Sequence, residues 1–200
     1  MIIRFADRPS QPWKNGLGRT REIAVQPPTA GSDEFLWRVS IAEVDSAAPF
    51  SCFPGIDRQI VLLDGAGFSM TLDGSHTHAL TTPFAPFAFP GEAKVDVALA
   101  DGATRDFNLM TRRSHGRGEV QVWRGPATHR PDPATTLVFC ARGRIDTVDG
   151  RLGACDAWRP SQAGSDPLTV HDGAVALVVR IEPRSSRATA APAYTRQPPS

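Results

Sequence analysis

The stretch Phe35-Leu-Trp-Arg-Val-Ser-Ile41 decides how this chain is read. In an extended conformation Phe35, Trp37, Val39 and Ile41 share one face, and Leu36, Arg38 and Ser40 share the other. The stretch lies within Ser32–Ala48, the longest run free of Gly and Pro and so the one place where a helix could form. Strict alternation and β-branched residues favour a strand instead. Working outward, Ile60-Val-Leu-Leu63 and Phe68-Ser-Met-Thr-Leu72 flank Asp64-Gly-Ala-Gly67, which predicts a hairpin with a short Gly-containing loop. Asp73-Gly74, Asp101-Gly102, Asp149-Gly150 and Asp172-Gly173 repeat the turn chemistry between further short apolar segments. About a dozen short strands punctuated in this way predict an all-β sandwich or barrel.

Composition supports that reading. The 200 residues include 17 Gly and 18 Pro, a density of helix breakers that leaves few places for long helices. Lys and Arg number 22 against 21 Asp and Glu, a net charge of +1, so no global field draws the chain to nucleic acid or an anionic membrane. Of the 22 basic residues only Lys14 and Lys94 are Lys; the rest are Arg, the side chain suited to bidentate capture of carboxylate. No apolar run approaches the roughly 20 residues of a membrane span. The start, Met1-Ile-Ile-Arg-Phe-Ala-Asp-Arg-Pro9, has no apolar core of a signal peptide. Cys52, Cys140 and Cys155 are odd in number and widely spaced, which argues against a disulfide framework and for a reducing, cytoplasmic setting. Residues 184–200 lack periodicity and are expected to be a disordered tail.

Three segments go beyond composition. They are Trp13-Lys-Asn-Gly-Leu-Gly-Arg-Thr-Arg-Glu-Ile-Ala24, then Phe35–Ala42 with Pro49-Phe-Ser-Cys-Phe-Pro-Gly-Ile-Asp-Arg-Gln-Ile-Val-Leu-Leu-Asp-Gly65, and finally Phe89-Pro-Gly-Glu92 with Asp106-Phe-Asn-Leu-Met-Thr-Arg-Arg113. In this order and spacing the chain resembles the HutD/Ves family over about residues 2–113, with a weaker continuation to about 183. Ala48 stands where the family pattern prefers Gly. The resemblance implies a bicupin, two cupin-like (RmlC-like jelly-roll) β-barrels in one chain. We expect an N-terminal module at 1–115 and a C-terminal module at 116–183, with a soft boundary where Gly, Pro and charge gather between 116 and 133. It further implies a bacterial accessory or regulatory protein, linked to histidine utilisation or to stress, that binds a small carboxylate metabolite such as formylglutamate. A homodimer is left open, and neither nucleic acid nor membrane is expected as partner. The alternatives are a cupin enzyme (a metal-dependent oxygenase or isomerase, or an epimerase) and a protein-interaction module.

The candidate ligand-binding residues are Trp13, Asn15, Thr20, Glu22, Arg38, Ser40, Phe53, Arg58, Asn108 and Arg112. The Trp13–Thr20 loop brings backbone close to a ligand, with Asn15 and Thr20 as hydrogen-bonding groups and Trp13 as an apolar wall; a tight turn capped by Asn15 is the plainer reading. Arg38 and Ser40 share the face opposite Trp37, where a guanidinium can fork onto a carboxylate if that face is enclosed. Arg58 opens a strongly apolar strand and needs an anionic partner, either a ligand or a structural carboxylate such as Glu22 or Asp57. Asp106, Asn108 and Met110 alternate onto one face that Arg112 continues. Gly74-Ser-His-Thr-His78 holds the His-x-His pair common in metal cupins, but the following Glu and later His are missing, so neither a metal nor another cofactor is expected. Ser51 is in no nucleophile-elbow sequence, and no catalytic residue is assigned.

Overall fold

A computed structural model describes residues 1–13, 16–28, 34–160 and 166–184 of the chain. Asn15 and the tail beyond residue 184 lie outside the described residues. The strands are β1 (Ile2–Ile3), β2 (Ser10–Pro12), β3 (Gly18–Gln26), β4 (Trp37–Val44), β5 (Ile56–Asp64) and β6 (Phe68–Leu72). They continue with β7 (His76–Leu80), β8 (Pro86–Pro90), β9 (Val95–Leu99), β10 (Thr104–Arg112), β11 (Gly116–Arg124) and β12 (Ala127–His129). The last are β13 (Thr135–Arg142), β14 (Ile145–Thr147), β15 (Gly150–Leu152), β16 (Ala157–Trp158), β17 (Leu168–Val170) and β18 (Val175–Pro183). Among the described residues the only helix is a single 3₁₀ turn at Phe5–Asp7, and none is long and apolar enough to cross a membrane.

The strands form four sheets: β7-β6-β9, β2-β3-β4-β10-β5-β8, β1-β16-β13-β18-β11 and β12-β17-β14-β15, with antiparallel pairing throughout. Three apolar cores separate them. Ala42, Val44, Ile60 and Leu62 of the six-stranded sheet meet Phe68, Met70, Leu80 and Val95 of the three-stranded one. The opposite face of the six-stranded sheet, with Trp37, Val39, Ile41, Val61 and Phe107, meets Leu137, Phe139, Leu177 and Val179 of the five-stranded sheet. The far face of that sheet, with Val138, Trp158 and Val178, meets Ile145, Leu152 and Val170 of the four-stranded sheet. The two inner sheets thus bear an apolar core on each face. That is why Ile60-Val-Leu-Leu63 and Val175–Val179 are apolar at every position: alternate residues enter different cores.

The segment Phe35–Ile41 runs into a strand, β4, as its alternation predicts, and Trp37, Val39 and Ile41 enter the central core. The hairpin expected across Asp64–Gly67 does not form. β5 belongs to the six-stranded sheet and β6 pairs with β7 and β9 in the three-stranded one, so the loop is a corner between layers. Gly65 and Gly67 both have positive φ there, and a Cβ on Gly67 would lie 2.0 Å from the Leu80 carbonyl oxygen, which only glycine escapes. Of the four Asp-Gly turns, those at 73–74 and 149–150 close hairpins, whereas those at 101–102 and 172–173 carry the chain from one sheet to another. The stretch read as a soft boundary is largely strand, since β11 begins at Gly116 and β12 follows. At the other end β1 pairs with β16, so the first residues join the sheet built mainly from strands beyond residue 116.

Candidate functional site

On the face of the six-stranded sheet that bears the outer core, one end is polar instead of apolar, and there a cleft of about 580 Å³ opens. Strand alternation and register build its floor. Arg38, Ser40 and Ala42 of β4 lie opposite Met110, Asn108 and Asp106 of β10, and Met110 lies opposite Arg58 of β5. Thr20 of β3 lies opposite Ala42 and extends the floor sideways. Trp13 and the loop Pro49–Phe53 form the walls. Trp13 Nε1 donates to Thr20 Oγ1 at 2.7 Å, which fixes the indole against the strand. Gly18 makes room for it: a Cβ there would come within 2.9 Å of the Trp13 ring.

Seven of the ten candidates from the sequence line this one cleft: Trp13, Thr20, Arg38, Ser40, Phe53, Arg58 and Asn108. Asn15 lies outside the described residues. Glu22 and Arg112 are not among the lining residues. Glu22 lies opposite Ser40 but is exposed, and Arg112 Nε donates at 3.0 Å to the Phe35 carbonyl oxygen, tying the end of β10 to the approach to β4. The alternation that placed Arg112 with Asn108 holds for the backbone, but the strand has passed the end of the cleft by then. Of the partners left open for Arg58, the structural carboxylates Glu22 and Asp57 are not the groups it bonds. Asp57 points to the other face and pairs with Arg113, while Arg58 donates from Nη2 to Asn108 Oδ1 at 3.0 Å. The acid beside it is Asp106, which the sequence placed on the right face without assigning it a role. Phe50, Cys52 and Met110 also line the cleft; Phe50 and Cys52 belong to the same quoted segment as Phe53, but alternation does not single them out from it.

Arg58 is only 6% exposed. Its guanidinium carbon lies 4.8 Å from the Phe89 ring centre, 5.2 Å from Phe50 and 5.6 Å from Phe53. Phe53 is shared: its ring centre is 5.7 Å from the Arg38 guanidinium carbon, and Phe35 stands 5.2 Å from the same atom. The aromatic faces stabilise the two cations and hold their planes in place. Burial lowers the Arg58 pKa to about 10, with the attraction of Asp106 opposing and the repulsion of Arg38 adding, so the group stays charged at neutral pH. Arg58 Nε has no hydrogen-bond partner. Asp106 is fully buried. Asn108 Nδ2 donates to its Oδ1, and Oδ2 has no partner. Burial raises the Asp106 pKa to about 7 against the opposing pull of Arg58 and Asn108.

The arrangement is suited to holding an anion: two guanidiniums confined by aromatic rings, with amide and hydroxyl groups around them. It is not suited to holding a metal. The lining residues include no His, and among the described residues no three His, Cys, Asp or Glu are grouped to hold an ion. His76 and His78 lie on β7 in the three-stranded sheet, where His78 stacks on Phe87 at 3.6 Å between ring centres. Glu92 is engaged by Arg113 and by the backbone N–H of Gly55. Among the described residues, the donors a metal cupin would use therefore stand outside the cleft or are engaged elsewhere.

Comparison with known proteins adds the following. The HutD family model matches residues 5–178. An uncharacterized 21.2 kDa protein in the hutC 3′ region of Pseudomonas putida is 38% identical over 172 residues, 84% of this chain and 88% of that one. Protein Ves of Citrobacter koseri is 39% identical over 163 residues, 81% of this chain and 75% of its own length. The structure of HutD from Pseudomonas fluorescens SBW25 is similar at a TM-score of 0.78 and 30% identity, covering 91% of this chain and 98% of that one. Bacillus subtilis oxalate decarboxylase OxdC, at a TM-score of 0.60 and 9% identity, is similar in its cupin-like fold alone.

Proposed function

This chain belongs to the HutD family, and from that premise we propose that it is a metal-free binding protein for a small carboxylate metabolite, acting as an accessory or regulatory factor. The observation that carries the reading is Arg58, buried in a cage of three phenylalanine rings with an unpartnered Nε, on the same cleft as Arg38. Burying a guanidinium costs free energy that a surface Arg does not, and an anion received between two such groups offsets it. The carboxylate binds Arg58 and Arg38, Asn108 and Ser40 orient it, and Trp13 and Phe53 pack its carbon chain. The four layered sheets and cupin-like neighbours support a bicupin reading, with modules near 1–115 and 116–183 packed through the central core. The balance of charge and the spaced cysteines support a cytoplasmic setting. Formylglutamate, a dicarboxylate of histidine breakdown, is the ligand the HutD resemblance favours. Calorimetric titration with formylglutamate, urocanate, glutamate and histidine tests the proposal. Saturable binding of at least one, lost in Arg58→Ala, is expected; no heat from any of the four overturns it.

A further inference from the structure

The cleft's charges are Arg38 from β4, Arg58 from β5 and Asp106 from β10; Cys52 from the wall loop adds a thiol. Directly across the sheet from Asp106 stand Ala42 and Leu62, and Thr20 lies beyond Ala42, so no other charged group faces it from the neighbouring strands. An ionised carboxylate offers about four lone-pair sites. Asp106 has a donor only at Oδ1, from Asn108, and Arg58 spends its hydrogen bond on Asn108 Oδ1 instead of on the acid. Asn108 is thus polarised between the two, with its oxygen toward the cation and its amide toward the acid. A fully buried Oδ2 without a donor is a poor place for negative charge. A second carboxylate arriving on Arg58 worsens it, because two carboxylates sharing one site do not both ionise readily. Placing a proton on Oδ2 resolves both difficulties: it neutralises the acid and makes Oδ2 a donor, for which the incoming carboxylate is the acceptor.

We propose that this site takes up its carboxylate ligand together with one proton, which resides on Asp106 Oδ2 and is donated in a hydrogen bond to the ligand carboxylate. Asp106 is then the residue that sets specificity. With Asp106 protonated, two guanidiniums face the ligand, and the hydrogen bond selects an acceptor oxygen over a cationic or N–H group at that point. The proposal rests on the carboxylate-binding reading above. The proton balance is simple: the ligand enters as a carboxylate, the proton comes from solvent, and no bond in the ligand breaks. Above the pH at which free Asp106 loses its proton, affinity is expected to fall on the order of tenfold per pH unit.

The test is calorimetry at pH 8 with formate and with formylglutamate, each in two buffers of widely different ionisation enthalpy, so that the difference in heat counts protons taken up. Wild-type protein is expected to take up close to one proton per ligand, and Cys52→Ser is expected to do the same. Asp106→Asn, whose amide can donate in place of the carboxyl O–H, is expected to bind with near-zero uptake and an affinity that no longer falls with pH. If wild-type protein binds either probe without proton uptake, the proposal fails and the carboxylate reading stands. Uptake that persists in a folded Asp106→Asn, or that vanishes in Cys52→Ser, overturns it as well. If Asp106→Asn does not fold, the wild-type and Cys52→Ser counts decide alone. No binding of either probe to wild-type protein overturns this inference together with the reading beneath it.

Discussion

Gln59 completes the open edge of β11 at Val120. Its Oε1 accepts from the Val120 backbone N–H at 2.9 Å, and its Nε2 donates to the Gly118 carbonyl oxygen at 3.0 Å, the two bonds a neighbouring strand would make. β11 is the last strand of its sheet, with β18 on one side only, and an unpaired edge is a template for unwanted pairing. One side chain from the adjacent sheet thereby stands in for a peptide unit. Gln59→Ala leaves both backbone groups without these partners and is expected to destabilise the fold by about 1–3 kcal/mol. Gln59→Glu keeps the acceptor but loses the donor and is expected to fall between. Urea unfolding of the three proteins measures the order.

The central core predicts how the molecule unfolds. Phe107 of β10 and Phe139 of β13 belong to different sheets, both are fully buried, and their ring centres lie 5.1 Å apart. Phe107→Ala is expected to cost about 3–5 kcal/mol, the transfer loss plus a cavity. Because the same ring belongs to the core shared by both inner sheets, the loss is expected to shift one cooperative transition for the whole chain. Two separated transitions in scanning calorimetry, with only the first moved by Phe107→Ala, would show the modules unfolding independently.

The affinity of the cleft is expected to depend on the shape of Arg58 as well as its charge. The planar guanidinium bonds Asn108 and lies near three rings at once, and an ammonium is a compact point charge without a fork. Arg58→Lys is expected to lower carboxylate affinity by about tenfold or more, the worth of one charged hydrogen bond. Equal affinity of the variant by calorimetry would show that charge alone holds the ligand.

How much of this was legible in the sequence follows from what alternation can report. Phe35–Ile41 alternates cleanly, so its strand and the common face of Arg38 and Ser40 could be read directly. Asp106, Asn108 and Met110 are an equally clean trio. What alternation does not carry is which strands share a sheet. Asp64–Gly67 has the composition of a hairpin, yet its close approaches to Ala103, Thr104 and Leu80 belong to a corner between layers, and those neighbours are distant in sequence. The same limit left the partner of Arg58 open between a ligand and a structural carboxylate. Asp57 is adjacent in sequence but on the opposite face, whereas Asn108 lies 50 residues away and one strand over. Glu22 lies opposite Ser40 in register yet is exposed and outside the cleft lining, and alternation does not report where along a face a cleft ends.

Acid stability is expected to depend on Glu92. Its hydrogen bonds from Arg113 and the Gly55 N–H lower its pKa from 4.5 to about 2. A depressed carboxyl contributes stability above its unfolded value and loses it as pH falls through the folded one, so the loss lies between about pH 4.5 and 2. The group is exposed and screened by solvent, so the effect is small. Glu92→Gln is expected to unfold at a less pH-dependent denaturant midpoint across that window and to match wild type in slope above it. A wild-type slope retained in Glu92→Gln would assign the acid sensitivity elsewhere.

Asp106 acts in the opposite direction and in a different window. Its pKa in the folded protein is raised from 3.8 to about 7, so the folded state holds the proton more tightly than the unfolded chain does. Stability from such a group is complete below about pH 3.8 and is lost as pH rises toward 7, where the buried carboxyl must ionise with one oxygen unpartnered. In ligand-free protein the unfolding free energy is therefore expected to carry a component that declines between about pH 4 and 7, and Asp106→Asn is expected to remove it. The amide has nearly the same shape but no proton to lose. It can keep one oxygen toward Asn108 Nδ2 and leave an N–H where Oδ2 stood. Denaturant midpoints measured at half-unit steps of pH check this. An Asp106→Asn profile parallel to wild type from pH 4 to 7 would mean that Asp106 is already ionised in the folded protein at the acid end, held so by Arg58.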